Sequence, residues 1–116
     1  MAARKLNQAS WRGYCDRVSK ALLGKRAEIE VTSLAIGDQI EAGWLPVLGI
    51  TYDAKNNLVE VALDGLDHLI HEPQELYVEE GADGLETIEI VAGDGIRQII
   101  KLREPLMLPS SSTASP

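Results

Sequence analysis

Apolar residues recur at helical spacing in one stretch of the chain and at strand spacing in most of the rest. From Ala9 to Leu23 the residues Trp11, Cys15, Val18 and Leu22 recur at intervals of four, three and four, and Tyr14 and Ala21 widen the stripe. That is the period of an amphipathic helix. Asn7 or Ser10 offers an N-cap oxygen, Asp16 and Lys20 stand in the favourable i, i+4 order, and Gly24 can take the left-handed conformation that ends a helix. Gly13 inside the stretch costs about 1 kcal/mol relative to alanine.

Beyond Gly24 the period becomes two. Glu28, Glu30 and Thr32 alternate with Ile29 and Val31, the mark of a strand with one wet face. The runs Leu45 to Asp53 and Leu58 to Asp64 are joined by Ala54-Lys55-Asn56-Asn57, where asparagine tolerates positive φ, and together predict a hairpin. Leu66 to His71 predicts a short edge strand, because Pro73 cannot donate to a ladder. Leu76 to Glu79 predicts another short strand. A second hairpin runs from Leu85 to Val91, turns at Gly93-Asp94-Gly95, and returns from Ile96 to Arg103.

These elements define an α+β domain: an N-terminal amphipathic helix followed by a strongly bent antiparallel sheet, or a small β-barrel, of six to seven short strands, with the helix across one face or open end. Residues 1–109 are expected to form one domain. Residues 110–116, with no large apolar side chain, predict a disordered tail.

Charge divides the chain at the same point as the hydrophobic period. Residues 1–26 hold seven basic residues and Asp16, a net of +6, whereas residues 27–116 hold four basic residues and seventeen acids, a net of −13. The overall charge of −7 argues against a nucleic-acid partner for the body of the fold, since phosphate neutralisation supplies most non-specific affinity. The basic helix is the one exception. Its cations Arg12, Arg17 and Lys20, flanked by Arg4, Lys5, Lys25 and Arg26, are expected to be offset mainly by Glu28, Glu30, Glu79 and Glu80. The lone Cys15 lies on the apolar stripe and is expected to be a core residue. With no secretory h-region and no apolar run long enough to cross a bilayer, the sequence predicts a cytoplasmic protein without a transmembrane segment.

The densest group of reactive side chains is Asp64, Asp67, His68, His71 and Glu72. A metal or acid/base site requires such groups to converge, but histidines three positions apart fall on opposite faces of a strand. Asp53 to Glu60 fails the EF-hand pattern at Lys55 and Leu58, and no nucleophile elbow exists. The other distinctive stretch is Gly43 to Asp53, which carries Trp44 and Tyr52, side chains that anchor interfaces or fill cores.

Trp11-x-x-Tyr14, Glu30-Val31, Gly37-Asp38-Gln39, Trp44-Leu45-Pro46-x-Leu48-Gly49-Ile50-x-Tyr52-Asp53, Leu66-Asp67-His68-Leu69-Ile70 and Arg97-Gln98-Ile99-Ile100 together resemble a small bacterial family of uncharacterised single-domain proteins, a domain of unknown function. The resemblance covers Trp11 to Pro109. It implies a bacterial single-domain protein and carries no site.

The leading expectation is therefore a small cytoplasmic binding or protein-interaction domain without catalysis, whose candidate surface comprises Trp44, Tyr52, Asp67, His68, His71 and Arg17. One alternative is a hydrolytic or metal-assisted enzyme centred on Asp64, Asp67, His68 and His71. Another is anion binding, to RNA or a membrane surface, through the basic helix. No catalytic, metal or cofactor-binding residue is assigned and no cofactor is expected. The partner is a protein or small ligand of open identity, and the oligomeric state is open.

Overall fold

In the computed structural model, residues 3–33, 37–81 and 84–103 are described. Helix α1, Trp11–Leu22, buries Trp11, Tyr14, Cys15, Val18 and Leu22. Ala21, expected to widen that stripe, is exposed. Asn7 caps a short 3-10 turn at Gln8–Ser10 that leads into α1, its side chain accepting from the Ala9 N–H, while the Ser10 side chain makes no cap bond. Gly24, at φ +86°, ends the helix as a residue without Cβ can.

The strands are β1 (Ala3–Lys5), β2 (Arg26–Ser33), β3 (Gly37–Asp53), β4 (Leu58–Leu63), β5 (Leu66–His71), β6 (Pro73–Gly81), β7 (Gly84–Ala92) and β8 (Arg97–Arg103). They form one antiparallel sheet in the order β1-β6-β7-β8-β2-β3-β4-β5. Both expected hairpins are present, with Asn57 at φ +49° in the first. The count of six to seven strands falls one or two short of the eight described, β1 being the strand that was missed because it has no alternation to betray it. The barrel alternative is corrected as well: β1 and β5 end the sheet without pairing to each other.

The sheet folds over at β3. Its first half pairs with β2 as far as Arg26↔Pro46, and its second half pairs with β4 from Val47↔Leu63 onward. At the crossing, Ala27 faces Leu45 while Ile29 faces Ala42. Gly43 and Trp44 therefore lie against Glu28 alone, a bulge that sharpens the bend. Two layers result, sharing one core. Ala27, Ile29, Leu76, Val78, Ile88, Ile90 and Ile100 come from the larger layer, and Ile50, Tyr52, Val59, Val61 and Ile70 from the smaller. His68 Nε2 on β5 meets Gln98 Oε1 on β8 and ties one layer to the other.

Where β3 leaves β2, its backbone edge would be open, and α1 covers it. The Ile50 N–H donates to Ser19 Oγ at 2.9 Å. The Val47 N–H donates to the Lys25 carbonyl at 2.7 Å, and the Gly24 N–H to the Val47 carbonyl. A Cβ at Gly49 would sit 2.9 Å from Ser19 Oγ, so glycine permits this approach. At its other end the helix is anchored by Trp11, whose Nε1–H donates to the Leu6 carbonyl at 3.1 Å and whose ring meets Tyr52 edge-on at 5.2 Å.

Leu22 is 2% exposed beneath this helix. Leu22→Ala should lower the unfolding free energy by about 2–5 kcal/mol, the usual cost of truncating a packed leucine. Urea denaturation measures it, and no loss would mean that α1 is not integral to the core.

Candidate interaction surface

Alternation along β5 turns Leu66, His68 and Ile70 inward and leaves Asp67, Leu69 and His71 exposed. The two histidines thus occupy opposite faces, and Asp64 stands in the preceding turn. Asp64, Asp67, His68 and His71 do not converge. Among the described residues, no group of three or more His, Cys, Asp or Glu side chains could hold a metal ion. Tyr52 is interior rather than surface: its hydroxyl accepts from Gln8 Nε2 and donates to Asn57 Oδ1. Arg17 is exposed, with its guanidinium 5.6 Å from the Tyr14 ring centroid. Burial, with the neighbouring Asp16 charge second, pushes the Cys15 thiol up to about 11, which keeps it protonated and unreactive at neutral pH.

The bend in β3 assembles a different group. Trp44, half-buried, adopts φ +49°, a left-handed conformation that costs an aromatic residue of order 1–3 kcal/mol. Its ring carries the Arg103 guanidinium at 4.5 Å. Arg103 pairs across the ladder with Arg26, and Arg26 with Pro46, all three exposed. Two residues on, Leu48 is 56% exposed. It borders a shallow depression of about 400 Å³ lined by Glu60, Ala62, Leu66 and Asp67. Strands lie about 4.8 Å apart, so the surface reads in order: Arg103, Arg26, the apolar crest Pro46–Leu48, then Glu60 and Asp67. Leu23, 60% exposed, flanks the crest beside the Gly24–Val47 bond.

The Glu60 and Asp67 carboxyls are mutually unfavourable. A hydrogen bond to Asp67, then the Asp67 charge and burial, raise the Glu60 pKa. Elsewhere several acids of the sheet are served from within it. Lys101 reaches Glu30 at 2.9 Å and Glu28 at 3.9 Å, Arg97 pairs with Glu89, and Glu79 accepts from the Thr87 hydroxyl. The expected compensation of the helix by Glu28, Glu30 and Glu79 is thus not made. Glu80 does take Arg4 at 3.0 Å and the Tyr14 hydroxyl at 3.2 Å. Arg12, Arg17 and Lys20 are exposed, and no ion pair is formed by them among the described residues.

Leu23, Glu60 and Arg103 were not candidates from sequence, whereas Leu48 lay within the distinctive Gly43 to Asp53 stretch and Arg26 among the cations flanking the helix. Glu60 had a readable signal: a two-residue Asp64-Gly65 turn fixes Leu63 opposite Leu66 and hence Ala62 opposite Asp67, which brings Glu60 diagonal to Asp67. Arg103 had none, because its place near β3 depends on its pairing with Arg26, more than seventy residues away in the chain.

Fold and surface together define a small, mostly β domain: an open antiparallel sheet folded on itself, with one helix sealing its gap and an exposed crest at the fold line. The chain belongs to a family of unknown function (DUF5335), whose model matches residues 2–111. It is 37% identical over 110 residues to an uncharacterized protein of Aquifex aeolicus (strain VF5), covering 94% of this chain and 99% of the relative. No solved structure matches.

The paired carboxyls set a pH test. Because folding raises the Glu60 pKa above its ordinary value of 4.5, the native state holds that proton more tightly than the unfolded chain. Stability is therefore lost as pH rises from about that value through the raised one. Glu60→Gln should be more stable than wild type at pH 7, by less than about 1 kcal/mol for a solvent-facing like-charge pair. Its advantage should vanish in acid. Urea titrations of both proteins at pH 7 and pH 3 check this.

Proposed function

We propose that this protein is a small protein-interaction domain without chemistry of its own, and that its contact surface is the outer side of the β3 bend. The observation supporting this is the exposed crest of Leu48 and Pro46, with Leu23 and the half-buried Trp44 beside it; of the other exposed large apolar residues, Ile40 and Leu69, the latter stands opposite Glu60 at the anionic flank. Clustered exposed apolar side chains with a charged rim mark contact sites. The strained Trp44 backbone adds to the case, since such conformations persist where surrounding structure enforces them and concentrate at functional positions. The dispersed His and Asp side chains favour binding over catalysis. A cytoplasmic location agrees with a single cysteine held as a buried, protonated thiol.

A photo-crosslinking amino acid at position 48, introduced in the native host, should give a discrete protein adduct. The same probe at position 94, in the distant β7–β8 turn, should give none. No adduct at position 48, or equal labelling at both, would refute this surface.

One observation favours a second reading, anion binding through α1: the exposed Arg12, Arg17 and Lys20 have no carboxylate in ion-pair reach among the described residues. Three cations engaging single-stranded RNA would give a log–log salt slope of about −2. Filter binding at low and physiological salt, with Arg12→Ala/Arg17→Ala/Lys20→Ala as control, measures it. Binding without that slope, or unchanged in the triple variant, would remove this reading.

A further inference from the structure

The crest of β3 is apolar, one of its flanks is cationic and the other is anionic. A surface ordered in this way is complementary to itself after a half-turn, and self-complementarity is what a two-fold interface requires. Resting on the protein-interaction reading above, we propose that the partner at this surface is a second copy of the chain. The two copies meet about a two-fold axis through Leu48, so that Arg26 and Arg103 of each face Glu60 and Asp67 of the other.

Three features of a single copy support this occupant. Glu60 and Asp67 stand diagonal to each other across β4 and β5 and line the same depression, share no ion pair with any cation among the described residues, and raise the Glu60 pKa by their proximity. Arg26 likewise forms no ion pair among the described residues, and Arg103 is held over Trp44, poised at the edge of the crest. Between them Leu48 exposes 56% of its surface, alongside a shallow depression able to take an apolar side chain. A partner that was only basic would satisfy the carboxylates and meet Arg26 and Arg103 with repulsion; one that was only acidic would do the reverse. The same surface, turned by a half-turn, satisfies both flanks and buries both leucines. Copies of net charge −7 repel at long range, but that repulsion is screened beyond about 8 Å at physiological salt.

Sedimentation of the purified full chain over a concentration series should show reversible association of 12.6 kDa protomers into dimers. Two double variants test the pairing: Glu60→Lys/Asp67→Lys, which leaves both flanks cationic, and Arg26→Glu/Arg103→Glu, which leaves both anionic. Each alone should associate about 30-fold or more weakly, the lower range for disrupting close interfacial charge pairs. An equimolar mixture of the two should form a heterodimer, because every contact is again between opposite charges. Circular dichroism confirms that each variant is folded, and restored association in the mixture is a result that misfolding could not produce. A strictly monomeric wild type, a dimer indifferent to both variants, or a mixture that stays monomeric would overturn the proposal. The position-48 crosslink separates the two levels. An adduct of twice the chain mass supports the second copy. An adduct to a different protein, with a monomeric wild type, overturns the dimer and keeps the interaction surface, and no adduct removes both.

Discussion

The arrangement rests on one backbone constraint: β3 is too long and too bent to stay in a single layer, and the edge it bares on leaving β2 has to be satisfied. An unpaired strand edge exposes N–H and C=O groups that would otherwise recruit another chain or lose hydrogen bonding altogether. Here the Ser19 hydroxyl and the backbone of Gly24 and Lys25 take those groups. A helix that carried only an apolar face would cover the core and leave that edge bare. The position of Ser19 beside Val18 and Leu22, and the glycine at position 49 opposite it, are therefore part of the same solution.

From that contact follow the two layers, and from the layers the site. Once β3 turns, β4 and β5 fold back over β8, which is why His68 meets Gln98. Among the described residues no third layer covers the outer side of the turn, so side chains that close the bend are presented to solvent. Trp44 is the clearest case, since its positive φ is the local cost of the bulge while its ring becomes a platform for Arg103. Geometry needed for folding and a surface suited to contact are thus the same few residues.

Much of this was readable because it is local. The stripe Trp11–Cys15–Val18–Leu22, the Asn57 turn and the opposite facing of His68 and His71 each depend on residues within a turn or a hairpin of one another. What the sequence hid depends on distant pairing. β1 is three exposed residues that become a strand only because β6 is there to receive them, and the first half of β3, Gly37 to Gly43, has no strict alternation and is held by β2. Tyr52 could have filled a core or anchored a surface by composition alone; the neighbouring Trp11 ring decides it. The choice between open sheet and barrel was equally non-local, since it turns on whether β1 and β5 find each other.

The split of charge along the chain acquires a different meaning in three dimensions. Read linearly, a basic segment followed by an acidic one suggests mutual neutralisation. In space several acids of the large layer are engaged by cations of their own sheet, with Lys101 between Glu28 and Glu30, and among the described residues the ion pairs made by the basic N-terminal segment are those of its flank, Arg4 with Glu80 and Lys5 with Glu75. Solvent-exposed pairs of this kind contribute at most about 1 kcal/mol each, so folding exerts little pressure to bring the remaining opposite charges together. The charges left over are then free to be arranged by other demands. Arg26 and Arg103 on one side and Glu60 and Asp67 on the other sit as separated cationic and anionic surfaces around the apolar crest of β3, an arrangement that adds little to the stability of a single copy and gives direction to whatever meets it.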